Sequence, residues 1–157
     1  MTNSVAMELA PTGTLRAAIN LANFLLVTGK KPNGDPDGVA PDMAAAIAND
    51  LGVDIKYVPF ATPGELADAV SDGMWDIGLI GAEPARAEHI DFTAAYVEIE
   101  ATYLVLENSP LKHLEDVDQP AVRIAVSARS AYDLYLTRHL KNATLVRAEG
   151  LDESYEL

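Results

Sequence analysis

Residues 54–81 read DIKYVPFATPGELADAVSDGMWDIGLIG, and the order of apolar, capping and glycine positions in this stretch decides the fold. Residues 54–59 read as a strand. Thr62, Pro63, Gly64 and Glu65 follow with the form of a capping box, in which the Thr62 hydroxyl satisfies an orphan backbone N–H and Pro63 suits the first helical position. A helix is expected from there to about Asp72, with Gly73 closing it. Residues 76–80 form a second short apolar strand. Gly81 comes next, where the lack of a side chain lets a ligand approach the backbone closely.

The same alternation extends outward. Residues 14–19 read as a first strand with Leu15, Ala17 and Ile19 on its buried face. Residues 30–38 hold two prolines and two glycines among charged residues, which is turn chemistry and a surface loop. A helix is expected between Pro41 and Gly52, because Met43, Ile47 and Leu51 recur on one face and Gly52 stands where a helix commonly ends in the left-handed conformation. Strands alternating with helices argue a mostly parallel α/β sheet. Ligands of such sheets sit beyond the carboxyl ends of strands, here the loops after Ile19 and Ile80.

Further on, residues 96–106 are rich in β-branched and aromatic side chains and read as a long crossing strand, with a boundary in the polar residues 107–110 that follow. Beyond it, residues 123–126 are a strand, 130–140 a helix with Tyr132, Leu136 and Leu140 on one face, and 144–146 another strand. No internal repeat or low-complexity tract appears.

Bulk properties narrow the function. The chain has 157 residues, 49% of them hydrophobic, enough to bury a real core. With 24 acidic against 11 basic residues the net charge is -13, which opposes binding to a nucleic acid backbone. No cysteine is present, so thiolate catalysis, disulfides and cysteine metal sites are excluded. The start, Met1 to Leu15, has neither the basic region nor the apolar run of a signal peptide, and no apolar stretch approaches the ~20 residues that cross a bilayer. His89, His113 and His139 lack metal-ligand spacing, no serine elbow or phosphate loop is present, and Asp42 and Asp76 have structural roles at a helix start and a strand start. No metal and no cofactor is expected.

Several short motifs occur in a defined order: Gly13-Thr14-Leu15-Arg16, Asp37-Gly38 with Pro41-Asp42, Gly73-Met74-Trp75-Asp76-Ile77, Pro84-Ala85-Arg86, Ile90-Asp91-Phe92-Thr93 with Tyr96, and Ser109-Pro110-Leu111-Lys112 with Leu114-Glu115-Asp116. In that order they resemble bacterial solute-binding protein family 3, the polar amino acid type. The resemblance implies an α/β fold of the type II periplasmic-binding-protein kind, two lobes joined by crossing strands and closing by hinge motion on a ligand between them. Lobe I would cover residues 1–95, the crossing strand 96–107, and an incomplete lobe II 108–157, since residues 150–156 resemble the start of a helix in the second lobe. A chain cut short there is expected to expose apolar surface and to self-associate.

The resemblance also implies site residues. The arginine matching Arg86 holds the ligand carboxylate in that family, and a guanidinium fork suits two oxygens in one plane. Without the motif, Arg86 reads as a surface arginine paired with Glu83 or Glu88. Asn20 and Asn23 follow the first strand, either as amides orienting a polar ligand or as loop caps. Between Asp76 and Arg86, Gly78, Gly81 and Ala82 supply no hydroxyl, so Glu83 takes a cationic ligand group or the ligand lacks an α-amino group. Ser130 stands at a helix N-terminus, as a ligand contact, as an N-cap with Asp133 at the third position, or as both. Arg129 replaces a glycine there and either adds a cation to the cleft or obstructs it.

By the same resemblance the protein is not an enzyme but the substrate-binding component of an ABC transporter, periplasmic, taking an amino acid or related small carboxylate and handing it to a permease. The alternatives are a dehydratase-like enzyme using Glu83 or Glu100, a ligand-sensing domain, and a fragment that binds nothing.

Overall fold

The computed structural model describes residues 4–157. The first three residues of the stretch read above as carrying no leader lie outside the described residues. The chain divides into two compact units, Met1–Gly81 and Ala82–Leu157.

In the first unit, α1 (Ser4–Leu9) leads into β1 (Thr14–Asn20), a two-residue hairpin of β2 (Gly29–Lys30) and β3 (Pro36–Asp37), α2 (Val39–Leu51), β4 (Asp54–Phe60), α3 (Pro63–Asp68) and β5 (Ile77–Leu79). The main sheet is parallel in the order β4-β1-β5. Its register runs from Thr14 opposite Asp54 to Asn20 opposite Phe60, and from Ala17 opposite Ile77 to Ile19 opposite Leu79. β1 is therefore central, and Leu15, Ala17, Ala18 and Ile19 are all 0% exposed. The expected alternation becomes continuous burial because helices cover a parallel sheet on both faces.

Small residues set the spacing between helix and sheet. The buried stripe of α2 is Ala40, Ala44 and Ala48, packed with Ala17 and Ile19 and with Leu15. Met43, Ile47 and Leu51, expected to form that face, are only partly buried beside it. Alanine wins the central stripe because it brings the helix axis close to a sheet strand that is itself rich in alanine. Gly38 precedes the helix at φ 128, and a Cβ there would lie 2.5 Å from the Leu26 carbonyl oxygen. Residues 30–38, expected as loop, carry the β2–β3 ladder, with Gly29 opposite Asp37 and Lys30 opposite Pro36.

Thr62 caps α3 as expected, its Oγ1 accepting from Glu65 N at 3.2 Å. The helix ends at Asp68, short of the expected Asp72, and single turns carry the chain to Gly73 at φ 61. The reason is Trp75, which buries its ring and donates from Nε1 to the Leu66 carbonyl at 3.0 Å. Gly78 makes room for it, since a Cβ at that position would meet the Trp75 ring at 3.2 Å.

The second unit contains a 3-10 turn (Leu114–Asp116), β6 (Arg123–Ser127), α4 (Ala131–His139), β7 (Thr144–Ala148) and α5 (Leu151–Glu156). β6 and β7 pair in parallel from Arg123 opposite Thr144 to Ser127 opposite Ala148. Val117, Ile124, Val126 and Leu136 form the core, with Tyr103, Leu140 and Leu145 against it. Tyr132, expected on the buried face of α4, is exposed, and Asp133 and Leu136 are buried instead. Burying Asp133 is feasible because its carboxylate accepts from Arg129 N, Thr137 Oγ1 and Arg147 Nε.

Residues 96–106, expected as a strand, carry no ladder. β-propensity measures how a side chain packs on a pleated neighbour, and none of the described strands lies beside this segment.

Candidate functional site

In the first unit, Asn20 ends β1, where its Oδ1 accepts from Ala22 N at 3.1 Å. The Asn23 carbonyl accepts from Leu26 N and Val27 N, so this asparagine organises the turn after the strand. Gly81 closes the unit with its backbone exposed. Two motif residues nearby serve the scaffold. Arg16 and Asp76 join the start of β5 to β1, with Asp76 accepting from Arg16 N at 2.8 Å and from Nη2 at 2.6 Å. Burial works against ionisation of Asp76, but the side-chain and backbone hydrogen bonds from Arg16 outweigh it and hold the carboxyl below its usual pKa.

The second unit brings Glu83, Arg86, Arg129 and Ser130 together. Arg86 is 6% exposed and donates from Nη2 to the Arg129 carbonyl at 3.1 Å. Burial lowers its pKa, the negative charge of Glu83 counters that, and the positive charge of Arg129 adds to the lowering. A guanidinium remains protonated in such surroundings, so the site holds a desolvated cation. Ser130 caps α4, its Oγ accepting from Asp133 N at 3.2 Å. Arg129 lies at φ 58, in the left-handed region. A β-carbon is strained in that conformation, which a glycine adopts freely.

Glu83 is 6% exposed, and both of its oxygens accept from the Arg138 guanidinium, Oε1 from Nη2 at 2.8 Å. Its backbone carbonyl accepts from Arg86 N at 2.9 Å and Ala87 N at 3.0 Å. A carboxylate so engaged supports the Arg86 turn and has little capacity left for a cationic ligand group. The sequence reading missed Arg138 altogether. It sits in the last turn of α4, where a basic residue has a sufficient local explanation in the helix dipole, so no sequence signal pointed to Glu83. Glu100, the other acid considered for catalysis, is exposed.

Other motif residues are turn caps. Ser109 Oγ accepts from Leu111 N, and Asp116 accepts from Lys112 N and His113 N. Among the described residues, no three His, Asp or Glu side chains gather as metal ligands, and no helix is long and apolar enough to cross a membrane.

With this geometry in hand, the chain can be set against known proteins. The profile of bacterial extracellular solute-binding proteins, family 3, matches residues 22–149. The chain belongs to this family. Among the relatives, an amino-acid-binding protein of Dichelobacter nodosus is 23% identical over 107 residues, 67% of this chain and 42% of that protein. Cyclohexadienyl dehydratase of Pseudomonas aeruginosa is 26% identical over 139 residues, 86% of this chain and 51% of that enzyme. The chain thus spans about half the length of the curated relatives it matches. A solved ancestral amino acid-binding protein, a precursor of cyclohexadienyl dehydratase, superposes with a TM-score of 0.77 at 26% identity, covering 97% of this chain and 68% of that one. The fold is accordingly α/β, of the type II periplasmic-binding-protein kind. Most structural neighbours of this family 3 chain are binding proteins.

Proposed function

We propose that the protein is the solute-binding component of an ABC transporter, extracytoplasmic, binding an amino acid or related small carboxylate and delivering it to a permease. The observation that carries this reading is Arg86, a guanidinium kept buried beside the N-terminus of α4 in a chain of family 3. Desolvation makes such a cation a strong partner for a carboxylate, and its fork fits two oxygens. Arg129 adds a second positive charge, and Ser130 and the first N–H groups of α4 offer donors to the same anion. Asn20, Asn23 and Gly81 are assigned to the polar and close-approach side of the ligand, and Glu83 supports Arg86 through its bond with Arg138. The lobes of this reading are residues 1–95 and 108–157, joined by 96–107. The amino-acid-binding relatives support the ligand class.

Thermal melting against a panel of amino acids, keto acids and small organic acids tests the reading. A ligand at a hundredfold its Kd adds about 2.7 kcal/mol, and each kcal/mol raises the Tm of a chain of this size by roughly 2–4 °C. Arg86→Ala is expected to abolish the shift. No shift with any compound would overturn the ligand assignment.

The dehydratase relative favours a second reading, an enzyme acting on a carboxylate substrate held by Arg86. Glu83 is poorly placed for general acid–base work while Arg138 holds both its oxygens. Incubating the protein with a cyclohexadienyl acid and following product by absorbance separates the two: turnover supports the enzyme, and a melting shift without turnover supports the binding protein. The partners of the favoured reading are the permease and, for this chain alone, a second copy of itself.

A further inference from the structure

Arg129, at φ 58, holds a backbone conformation that non-glycine residues rarely adopt. Such a conformation persists only where its surroundings over-determine it, and it gathers at ligand clamps. Both peptide groups of Arg129 are gripped. Its N–H donates to Asp133 Oδ2 at 2.8 Å, and its carbonyl accepts from Arg86 Nη2 at 3.1 Å. One residue back, Ala128 N donates to the Ala148 carbonyl at 2.8 Å and ties the same loop to β7. Relaxing Arg129 into the right-handed region would swing the peptide between residues 129 and 130 and withdraw the oxygen that Arg86 uses.

Asp133 is itself fixed from β7. It is 4% exposed, and its other oxygen, Oδ1, accepts from Arg147 Nε at 2.9 Å and from Thr137 Oγ1 at 3.1 Å. Arg147 Nη2 also donates to Thr137 Oγ1 at 2.7 Å, so one guanidinium grips the acid and the hydroxyl together. Capping α4 requires none of this. The cap bond runs from Asp133 N to Ser130 Oγ and leaves the Asp133 carboxylate unused. The helix dipole favours an acid in the first turn, but it does not call for an arginine from the neighbouring strand to orient that acid.

We infer that Asp133 and Arg147 are positioning residues of the anion site: Arg147 orients Asp133, Asp133 holds the Arg129 N–H, and the Arg129 carbonyl thereby stays where it fixes the Arg86 guanidinium. For its purpose this rests on the carboxylate reading of Arg86; its geometry rests on bonds within the second unit alone. A guanidinium fork fits two coplanar oxygens only when its own plane is held, so the relay sets affinity without Asp133 or Arg147 touching the solute.

Heteronuclear NMR of the Arg86 side chain, at its Nε–H resonance, reads the relay with no solute present. Arg147→Met keeps the apolar stem and removes the donors. It is expected to move the Arg86 resonance and to speed hydrogen exchange of the Arg129 N–H by roughly tenfold or more, the equivalent of one lost charge-assisted hydrogen bond. Arg147→Lys should restore part of both, and its retained charge keeps the buried carboxylate paired, so the comparison stands even where the methionine variant unfolds. In an Arg129→Gly background the left-handed backbone is unstrained, and Arg147→Met should move the Arg86 resonance much less. Arg123→Met, on the exposed side of β6, should leave it where it is. In the panel of amino acids, keto acids and small organic acids, Arg147→Met should shrink every melting shift that depends on Arg86. An Arg86 resonance indifferent to Arg147, or moved as much in the glycine background or by Arg123→Met, would overturn the inference and leave the carboxylate reading standing. A panel with no binder, beside an Arg86 resonance that follows Arg147, would overturn the carboxylate reading and support the relay.

Discussion

β1 and residues 96–106 are similar runs of apolar residues with opposite fates. β1 lies between β4 and β5, and its side chains from Leu15 to Ile19 other than Arg16 are fully buried. Residues 96–106 find no such neighbours and leave Leu104 and Leu106 in solvent. The difference teaches that a strand is made by what lies beside it: apolar side chains stabilise a fold in one place and stay in solvent in the other.

The most severe test of that contrast is Leu15→Ala set beside Leu104→Ala. The first is expected to cost about 2–5 kcal/mol, the transfer and cavity cost of a buried leucine, and the second to stay within about 0.5 kcal/mol in the dilute monomer, both read from urea unfolding. Comparable losses at the two sites would erase the contrast. Gly38→Ala comes next, with an expected loss of roughly 1–3 kcal/mol, because the left-handed backbone and the Leu26 carbonyl both resist a β-carbon. Arg129→Gly, in the second unit, runs the other way and should raise stability by about 1 kcal/mol by relieving its positive φ. If it also abolishes a ligand-induced melting shift, the Arg129 side chain contributes to binding.

The smallest effect concerns the Arg16–Asp76 link between β1 and β5. The folded pKa of Asp76 is depressed, so the stabilisation it contributes is complete above its unfolded pKa near ~4 and is lost as pH falls through the lower folded value. Asp76→Asn should therefore weaken the protein at neutral pH and flatten its loss of stability on acidification, seen by comparing unfolding midpoints at pH 7 and pH 3. An unchanged slope would mean that the link carries no net stabilisation.

Much of the first unit was legible in the sequence because its signals are local. Thr62 and Glu65 lie within one helical turn and cap α3 wherever it packs, and Gly52 at φ 70 ends α2 as its position implied. Ser130 with Asp133 was legible for the same reason. The length of α3 and the buried face of α2 were not, because Trp75 and the alanine stripe act through neighbours distant in sequence. In the site, the motif brought Arg86, Arg129 and Ser130 into view, while the Glu83–Arg138 pair spans 55 positions and left no periodic trace.

By itself the sequence determined the alternation of strands and helices, their capping residues and the family, since periodicity, caps and motif order are properties of near neighbours along the chain. The tertiary structure decided which apolar runs became strands, which carboxylates were neutralised by which arginines, and which conformation Arg129 must hold. Ladders and buried ion pairs form between residues far apart in sequence, and their energies depend on burial and geometry that exist only once the chain has folded.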